Sequence, residues 1–164
     1  SSCGVSLVET PADLDAALGR AFAQDDRVLV EEVVVGREID VAVLRRRDGS
    51  LLLGTLEIGV DGFFDYDAKY SGGARFQVPA RLTAAEEADL RAQAVTLFAA
   101  LDCAGVARVD FFLTESGWVL NEINTVPGMT PTSQVPLVFG SLGLSYEQLV
   151  AELVATTVLD VAAA

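Results

Sequence analysis

Two acidic residues and an amide stand close together on two short apolar segments late in the chain. Asp110 lies in VARVDFFL, and Glu122 and Asn124 lie in WVLNEIN. Two carboxylates that face each other on an apolar hairpin repel, so either one is protonated or a cation lies between them. A site with oxygen ligands only favours Mg²⁺ or Mn²⁺ over zinc. Arg108, next to the acidic pair, would supply a fixed positive charge for an anionic group.

The facing arrangement depends on the register of the predicted hairpin. Alternate residues of a β-strand point to the same face of the sheet. A three-residue connection over 115–117 pairs Thr114 with Trp118 and, counted back, places Asp110 opposite Glu122. Cβ atoms of such facing pairs lie about 4.5–5.5 Å apart. A surface hairpin with scattered charges, or a register shifted by one residue, is the alternative without a metal.

The segment NTVPGMTPTS follows the second strand directly and offers groups for an anionic ligand. Gly128 lets the backbone approach a ligand closely, and its N–H could face an oxyanion. Ser133 and two threonines offer hydroxyls to a carboxylate. An ordinary turn explains the same residues if the segment is taken alone.

Two further regions carry candidate ligand-binding residues. Residues 59–79 hold four glycines and the sole lysine of the chain, Lys69, followed by Tyr70. This composition is typical of a lid that closes over phosphates, although a solvated surface loop has the same features. Glu31, Glu32 and Glu38 flank a predicted strand end, where one of them could bind a ribose or all could be merely solvated.

Local patterns predict the elements that position these groups. An amphipathic helix follows Thr10-Pro11, and a second begins at the capping box Thr83–Glu86. Alternating and β-branched segments predict strands over 28–35, 38–45, 51–58, 106–114 and 118–123. Ser145 with Gln148 predicts the start of the last helix. The order of elements predicts an α+β fold: a mostly antiparallel sheet with helices packed on it, on one side.

Composition excludes several functional classes. The chain has 164 residues, no histidine, 11 basic and 24 acidic side chains, and a net charge of −13. The absence of histidine excludes serine–histidine hydrolysis and histidine-bound zinc. The negative charge argues against a nucleic-acid partner, and no apolar run reaches the roughly 18 residues that a membrane span needs. Two distant cysteines favour a reduced, cytoplasmic setting.

Several segments together resemble one known family. They are, in chain order, SSCGVS, VEEVVVGREIDVAVL, FFDYDAKY, GVARVDFFL and LNEINTVPGMTPTS. They resemble the D-alanine–D-alanine ligases of the ATP-grasp superfamily, from Ser1 to about Leu159. The family's chains are roughly twice as long. We therefore expect residues 1–164 to be the C-terminal part of an ATP-grasp catalytic domain, without the N-terminal domain and the first part of the ATP-grasp domain.

The resemblance assigns roles to the acidic site. It implies that Asp110, Glu122 and Asn124 bind two magnesium (or manganese) ions that bridge the phosphates of ATP. It also implies that Arg108 and the Gly128 N–H hold the tetrahedral intermediate. The implied reaction phosphorylates the carboxylate of one D-alanine, and the amine of a second D-alanine then attacks the acyl phosphate.

The resemblance also implies roles outside that site. Ser133 corresponds to the hydroxyl that binds the carboxylate of the second D-alanine. Lys69 corresponds to the lid residue that reaches the transferred phosphate, and Tyr70 joins a hydrogen-bond network with Ser1.

The same resemblance implies a nucleotide subsite. Glu38 corresponds to the ribose ligand. The stretch that contains Glu31, Glu32 and Val34 corresponds to the adenine hinge. The expected function is ligation of D-alanine for peptidoglycan precursors by a cytoplasmic enzyme, homodimeric at full length. Another ATP-grasp carboxylate–amine ligase and a non-catalytic metal-binding module are the alternatives.

Overall fold

The structure is a computed structural model that describes residues 3–59 and 75–162, the side chains of residue 75 and of 157–162 excepted. The chain divides into two compact units between Val33 and Val34. In the first unit a 3₁₀ turn, Pro11–Asp13, leads into helix α1, Leu14–Phe22. The Thr10 hydroxyl donates a hydrogen bond of 2.7 Å to the Asp13 carboxylate at this start. The helix predicted after Thr10-Pro11 is thus confirmed.

The second unit is built on one five-stranded sheet. Its elements are, in chain order, β1 (Arg37–Arg45), β2 (Leu51–Gly59), β3 (Arg75–Gln77), α2 (Ala84–Ala100), β4 (Val106–Thr114), β5 (Gly117–Asn124), α3 (Gln134–Ser141) and α4 (Tyr146–Ala162). The strand order is β3-β2-β1-β4-β5, and every neighbouring pair is antiparallel. The predicted α+β class with a mostly antiparallel sheet is confirmed.

Helices cover both faces of the sheet, so their predicted location on one side is wrong. On one face, side chains of β1 and β4 pack against Leu90, Ala94 and Phe98 of α2. On the opposite face, side chains of β1 and β2 pack against α3 and α4, with Phe139 and Leu149 fully buried. Ile39, Val41 and Val43 of β1 therefore face one helical layer, and Ala42 and Leu44 face the other, which explains the long buried run of this strand.

Side-chain caps fix where two helices begin. Thr83 and Glu86 form the predicted capping box at the start of α2, with the Thr83 hydroxyl accepting from the Glu86 N–H. Ser145 and Gln148 bond each other's backbone N–H groups at the start of α4. Both contacts satisfy N–H groups that a helix leaves without an intrahelical partner.

Two local predictions differ from the structure, and one helix was not predicted. Residues 28–35 form no strand, and none of them pairs with a strand in the described part of the chain, although most are β-branched. β-propensity measures how well a side chain packs on a sheet, and Leu29 and Val30 are 85% and 73% exposed. The predicted 59–79 loop contains the short strand β3, and the helix α3 follows the loop after β5 without having been predicted.

Among the described residues, no single helix is long and apolar enough to cross a membrane. Gln134–Ser141 and Tyr146–Thr156 meet that test only as a pair, and they are bent by 105° at their break.

Candidate active site

The β4–β5 hairpin brings Asp110 and Glu122 opposite each other, as predicted, but by a different route. The connection has two residues, so Thr114 pairs with Gly117 rather than with Trp118. With regular pairing, this shorter turn would move Glu122 onto the core face beside Val109. A β-bulge after Leu120 inserts one extra residue and restores the pairing of Asp110 with Glu122.

The same bulge changes which neighbours share the face of Glu122. Alternation alone predicts that Trp118 and Leu120 lie on its side of the sheet. Instead, Trp118 packs against the core on the α2 face, where its ring and that of Phe111 meet edge to face with their centres 6.1 Å apart. The bulge thus separates an apolar half of β5 from the polar half that ends at Asn124.

The Arg108 guanidinium holds the centre of the site. Its Nε and Nη2 donate to the two carboxylate oxygens of Asp110, both at 2.7 Å. Nη2 also lies 3.8 Å from Glu122 Oε1, and Nη1 donates to Gln134 Oε1 at the start of α3. The Asn124 amide donates to Asp110 at 3.2 Å and to Glu122 at 3.0 Å. The four residues predicted from the hairpin therefore form one connected cluster.

Asp40 is a further member of this site that sequence reasoning missed. β1 pairs Asp40 directly with Asp110, on the side opposite β5. Its side chain is 2% exposed, and neither carboxyl oxygen has a hydrogen-bond partner. The nearest cation is Arg108, whose Nε lies 3.5 Å from Asp40 Oδ2. A polar residue at the centre of an otherwise apolar strand, two positions after Glu38, was the available signal.

Burial and like charges shift the ionisation of both aspartates. Burial, with the nearby charge of Asp110, raises the pKa of Asp40 to about 8. Burial also raises the pKa of Asp110, although its hydrogen bonds from Arg108 oppose the shift. The pKa of Arg108 is raised, chiefly by its bonds to Asp110. One guanidinium therefore faces three carboxyl groups, which is an excess of negative charge in a largely desolvated space.

The donor set fits a magnesium or manganese ion held together with a phosphate ligand. No three acidic, histidine or cysteine side chains within 3–59 and 75–162 are arranged to enclose an ion alone. Mg²⁺ in proteins is commonly bound by one or two carboxylates together with substrate phosphates. Asp110 and Glu122 supply two such carboxylates. A half-turn of the Asn124 amide would present its oxygen where its nitrogen now donates.

The loop between β5 and α3 places its candidate residues next to one another. Gly128 is exposed, and a Cβ at this position would lie 3.1 Å from the Ser133 hydroxyl. That hydroxyl accepts from the Thr130 N–H at 3.1 Å and lies 2.7 Å from the Thr130 hydroxyl. The Tyr146 hydroxyl donates to the Met129 carbonyl at 2.8 Å, which ties the loop to α4. A side chain at 128 would therefore crowd Ser133.

The remaining predicted residues are placed as follows. Glu38 lies on β1, two residues before Asp40 and on the same face, and is half-buried. Glu31 and Glu32 are exposed in the first unit, and Val34 is half-buried in the second. Ser1, Lys69 and Tyr70 lie outside the described residues. The roles of all these residues remain predictions.

Comparison with known sequences identifies the class and then the family. The sheet, with its carboxylate–amide–arginine site, has the ATP-grasp fold. The family model described as "D-ala D-ala ligase C-terminus" matches residues 1–155. The chain therefore belongs to the D-alanine–D-alanine ligase family.

Similar sequences and structures agree with this assignment. A curated D-alanine–D-alanine ligase from Frankia casuarinae is 47% identical to this chain over 98% of its length. One from Corynebacterium aurimucosum is 44% identical over 95% of its length. The chain spans only 44% and 46% of their lengths. The VanG D-Ala:D-Ser ligase of Enterococcus faecalis is 40% identical, with a TM-score of 0.78 over 95% of this chain and 46% of that one. The D-alanyl-alanine synthetase A of Vibrio cholerae is 32% identical, with a TM-score of 0.79 over 96% and 50%.

Proposed function

We propose that this chain acts, as the C-terminal part of a longer protein, in the ATP-dependent joining of two D-alanines for peptidoglycan precursor synthesis. One observation carries the proposal: Asp110, Glu122, Asn124 and Arg108 meet on one face of the sheet in a member of this family. We further propose a cytoplasmic homodimer that takes ATP and D-alanine as its small-molecule partners, with no nucleic acid or membrane involved.

In this proposal the acidic pair holds the nucleotide's phosphates through two divalent ions. Asp110 and Glu122 contribute carboxylate oxygens, and Asn124 contributes its amide oxygen. The bound Mg²⁺ or Mn²⁺ would offset the charge that develops on the phosphates during transfer. A carboxylate oxygen of the first D-alanine attacks the γ-phosphorus of ATP, and ADP leaves.

Arg108 and Gly128 act in the second step. The amine of the second D-alanine attacks the carbonyl carbon of the acyl phosphate and loses its proton, and inorganic phosphate leaves. The guanidinium of Arg108 and the Gly128 N–H stabilise the oxyanion that forms at that carbon. The Ser133 hydroxyl, beside Gly128, binds the carboxylate of the incoming D-alanine. None of these roles needs an imidazole, in agreement with the histidine-free sequence.

The residues around this centre complete the proposed nucleotide and lid contacts. Glu38 would bind the ribose, and Glu31, Glu32 and Val34 would lie along the adenine. Lys69 would reach the transferred phosphate, and Tyr70 would join Ser1 at the substrate. What supports these roles is the match of motifs to the family, together with the position of Glu38 on the site's face of β1.

The test is a coupled assay of ADP release by the complete protein with ATP, Mg²⁺ and D-alanine, with D-alanyl-D-alanine identified by mass spectrometry. We expect Glu122→Gln to lower turnover at least about a hundredfold, because it removes charge from the metal-binding pair. Glu115→Gln, in the exposed turn of the same hairpin, is the matched control and should keep turnover within about twofold. Near-normal turnover of the Glu122 variant would refute the role given to this pair.

A second acceptor is considered because of one structural neighbour. The VanG protein, at 40% identity, is described as a D-Ala:D-Ser ligase. The same assay with D-serine, D-lactate and L-alanine in the acceptor position separates these activities. We expect D-alanine to give the highest kcat/KM; a higher value for D-serine would replace the proposed product by the mixed dipeptide.

A further inference from the structure

Asp40 has no hydrogen-bonding role in the site described so far, yet it is the most enclosed of its three carboxyl groups. It is 2% exposed, compared with 3% for Asp110, whereas the Glu122 side chain is 59% exposed. Both of its carboxyl oxygens lack a hydrogen-bond partner. A buried polar group without a partner costs free energy, so its presence beside Arg108 calls for a function.

The contacts of Arg108 create a conflict that Asp40 can resolve. Asp110 accepts from Nε and Nη2 with both of its oxygens. A divalent cation on the Asp110 carboxylate repels the guanidinium and competes with it for the same two oxygens, which weakens these hydrogen bonds. Arg108 is then held less firmly by its main partner at the moment when its position matters for an arriving anion.

Asp40 is placed to receive the released Nε–H. Its Oδ2 lies 3.5 Å from Arg108 Nε, and a shift of roughly 0.7 Å would give a charge-assisted hydrogen bond of ordinary length. Gln134 already accepts from Nη1. With Nε held by Asp40 and Nη1 held by Gln134, the guanidinium keeps its place while Nη2 turns from Asp110 to a substrate oxyanion.

We propose that Asp40 is a positioning residue that accepts the Arg108 Nε–H when Asp110 turns to a divalent cation. The inference rests on the proposed function, because it requires a metal–nucleotide complex at Asp110 and Glu122. It assigns a task to a residue that has no role in the proposed reaction. The task is that of a hydrogen-bond acceptor rather than of a charge acting directly on the ion.

Two substitutions at position 40 separate these two modes of action. Asp40→Asn removes the ionisable carboxyl but keeps an acceptor oxygen, whereas Asp40→Leu removes both. Both variants should fold, because replacing a buried, unpartnered carboxyl by a neutral group of similar size is often neutral or stabilising. Asp89→Asn, on the exposed side of α2, is the control for a change of charge far from the site.

The measurement is calorimetric binding of a non-hydrolysable ATP analogue to the complete protein, in excess Mn²⁺ and, separately, in EDTA. We expect Asp40→Leu to weaken binding about tenfold in Mn²⁺ and less than twofold in EDTA, and Asp40→Asn to weaken it less than threefold in Mn²⁺. In an Arg108→Lys background, which lacks the Nε–H, Asp40→Leu should change affinity by less than twofold.

The outcomes distinguish this inference from the proposed function. Equal losses in the Asn and Leu variants, an unaltered Leu variant, or a full loss in the Arg108→Lys background would each overturn the role of Asp40. A wild-type protein that binds the Mn²⁺–nucleotide but makes no dipeptide would contradict only the proposed reaction. A wild-type protein whose nucleotide affinity is unaffected by Mn²⁺ would overturn both the metal site and this role.

Discussion

The ionisation of Asp40 makes a prediction about stability that needs no substrate. The carboxyl is buried beside Asp110, and its pKa of about 8 lies well above the 3.8 of an aspartate in an unfolded chain. Between these values the folded protein binds a proton at Asp40 that the unfolded chain has released. The contribution of Asp40 to the free energy of unfolding should therefore be highest below pH 4. It should fall as the pH rises toward 8.

The structure also bounds the size of this effect. One proton of difference changes stability by at most about 1.4 kcal/mol per pH unit, so the loss from pH 5 to pH 7 is up to about 3 kcal/mol. The charged groups that act on Asp40 are Asp110, Arg108 and Glu38. Of these, Asp110 also has a raised pKa and adds to the same trend.

The assay is urea unfolding in EDTA at pH 5, 6 and 7, followed by the fluorescence of Trp118, the sole tryptophan of the chain. We expect the wild-type chain to lose stability over this range and Asp40→Asn to lose clearly less, so that the variant is the more stable protein at pH 7. Asp89→Asn should follow the wild-type curve. If the wild-type and Asp40→Asn curves stay parallel from pH 5 to pH 7, the carboxyl is not held neutral beside Asp110 and the reasoning is refuted.

Three further substitutions test the packing around the site. Gly54→Ala should destabilise the protein by about 1–3 kcal/mol, because its new methyl group would collide with Val138 where α3 lies on β2; thermal unfolding that matches wild type would contradict this contact. Gly140→Ala, on helix α3, is the matched control, because no atom lies within 4 Å of the added Cβ. In the same measurement it should stabilise the protein by about 0.5–1 kcal/mol. Tyr146→Phe should raise the KM for the second D-alanine several-fold with little change in unfolding temperature, because the Met129 carbonyl loses its donor and the substrate loop is held less firmly; an unchanged KM would show that this bond does not position the loop.

Local sequence signals were sufficient for much of the fold. The capping residues Thr83 and Ser145 predict where two helices begin, because the contacts that satisfy a helix start lie within four residues. Alternation predicts β1, β2, β4 and β5 to within a residue or two. The segment 28–35 shows the limit of this reasoning, since its β-branched residues favour a strand but do not supply a neighbour with which to pair.

The acidic hairpin shows a correct prediction reached through two errors that cancel. The turn is one residue shorter than predicted, and the bulge after Leu120 adds one residue back. Neither is visible in the sequence, because turn length and bulge position depend on how the whole strand fits its neighbours. The two errors do change the position of Trp118, whose side chain lies on the core face and not beside Glu122.

By itself, the sequence determined the chemistry that is possible here: oxygen ligands without imidazole, an arginine beside two facing acids, and a glycine-containing loop directly after them. These features are local, because their residues are neighbours along one hairpin and its following turn. Only the tertiary structure decided that Asp40 is the third carboxyl of the site and that Gln134 holds the other side of Arg108. Asp40 is separated from Asp110 by 70 positions, and the pairing of β1 with β4 that joins them arises from burial of the whole sheet between its helical layers.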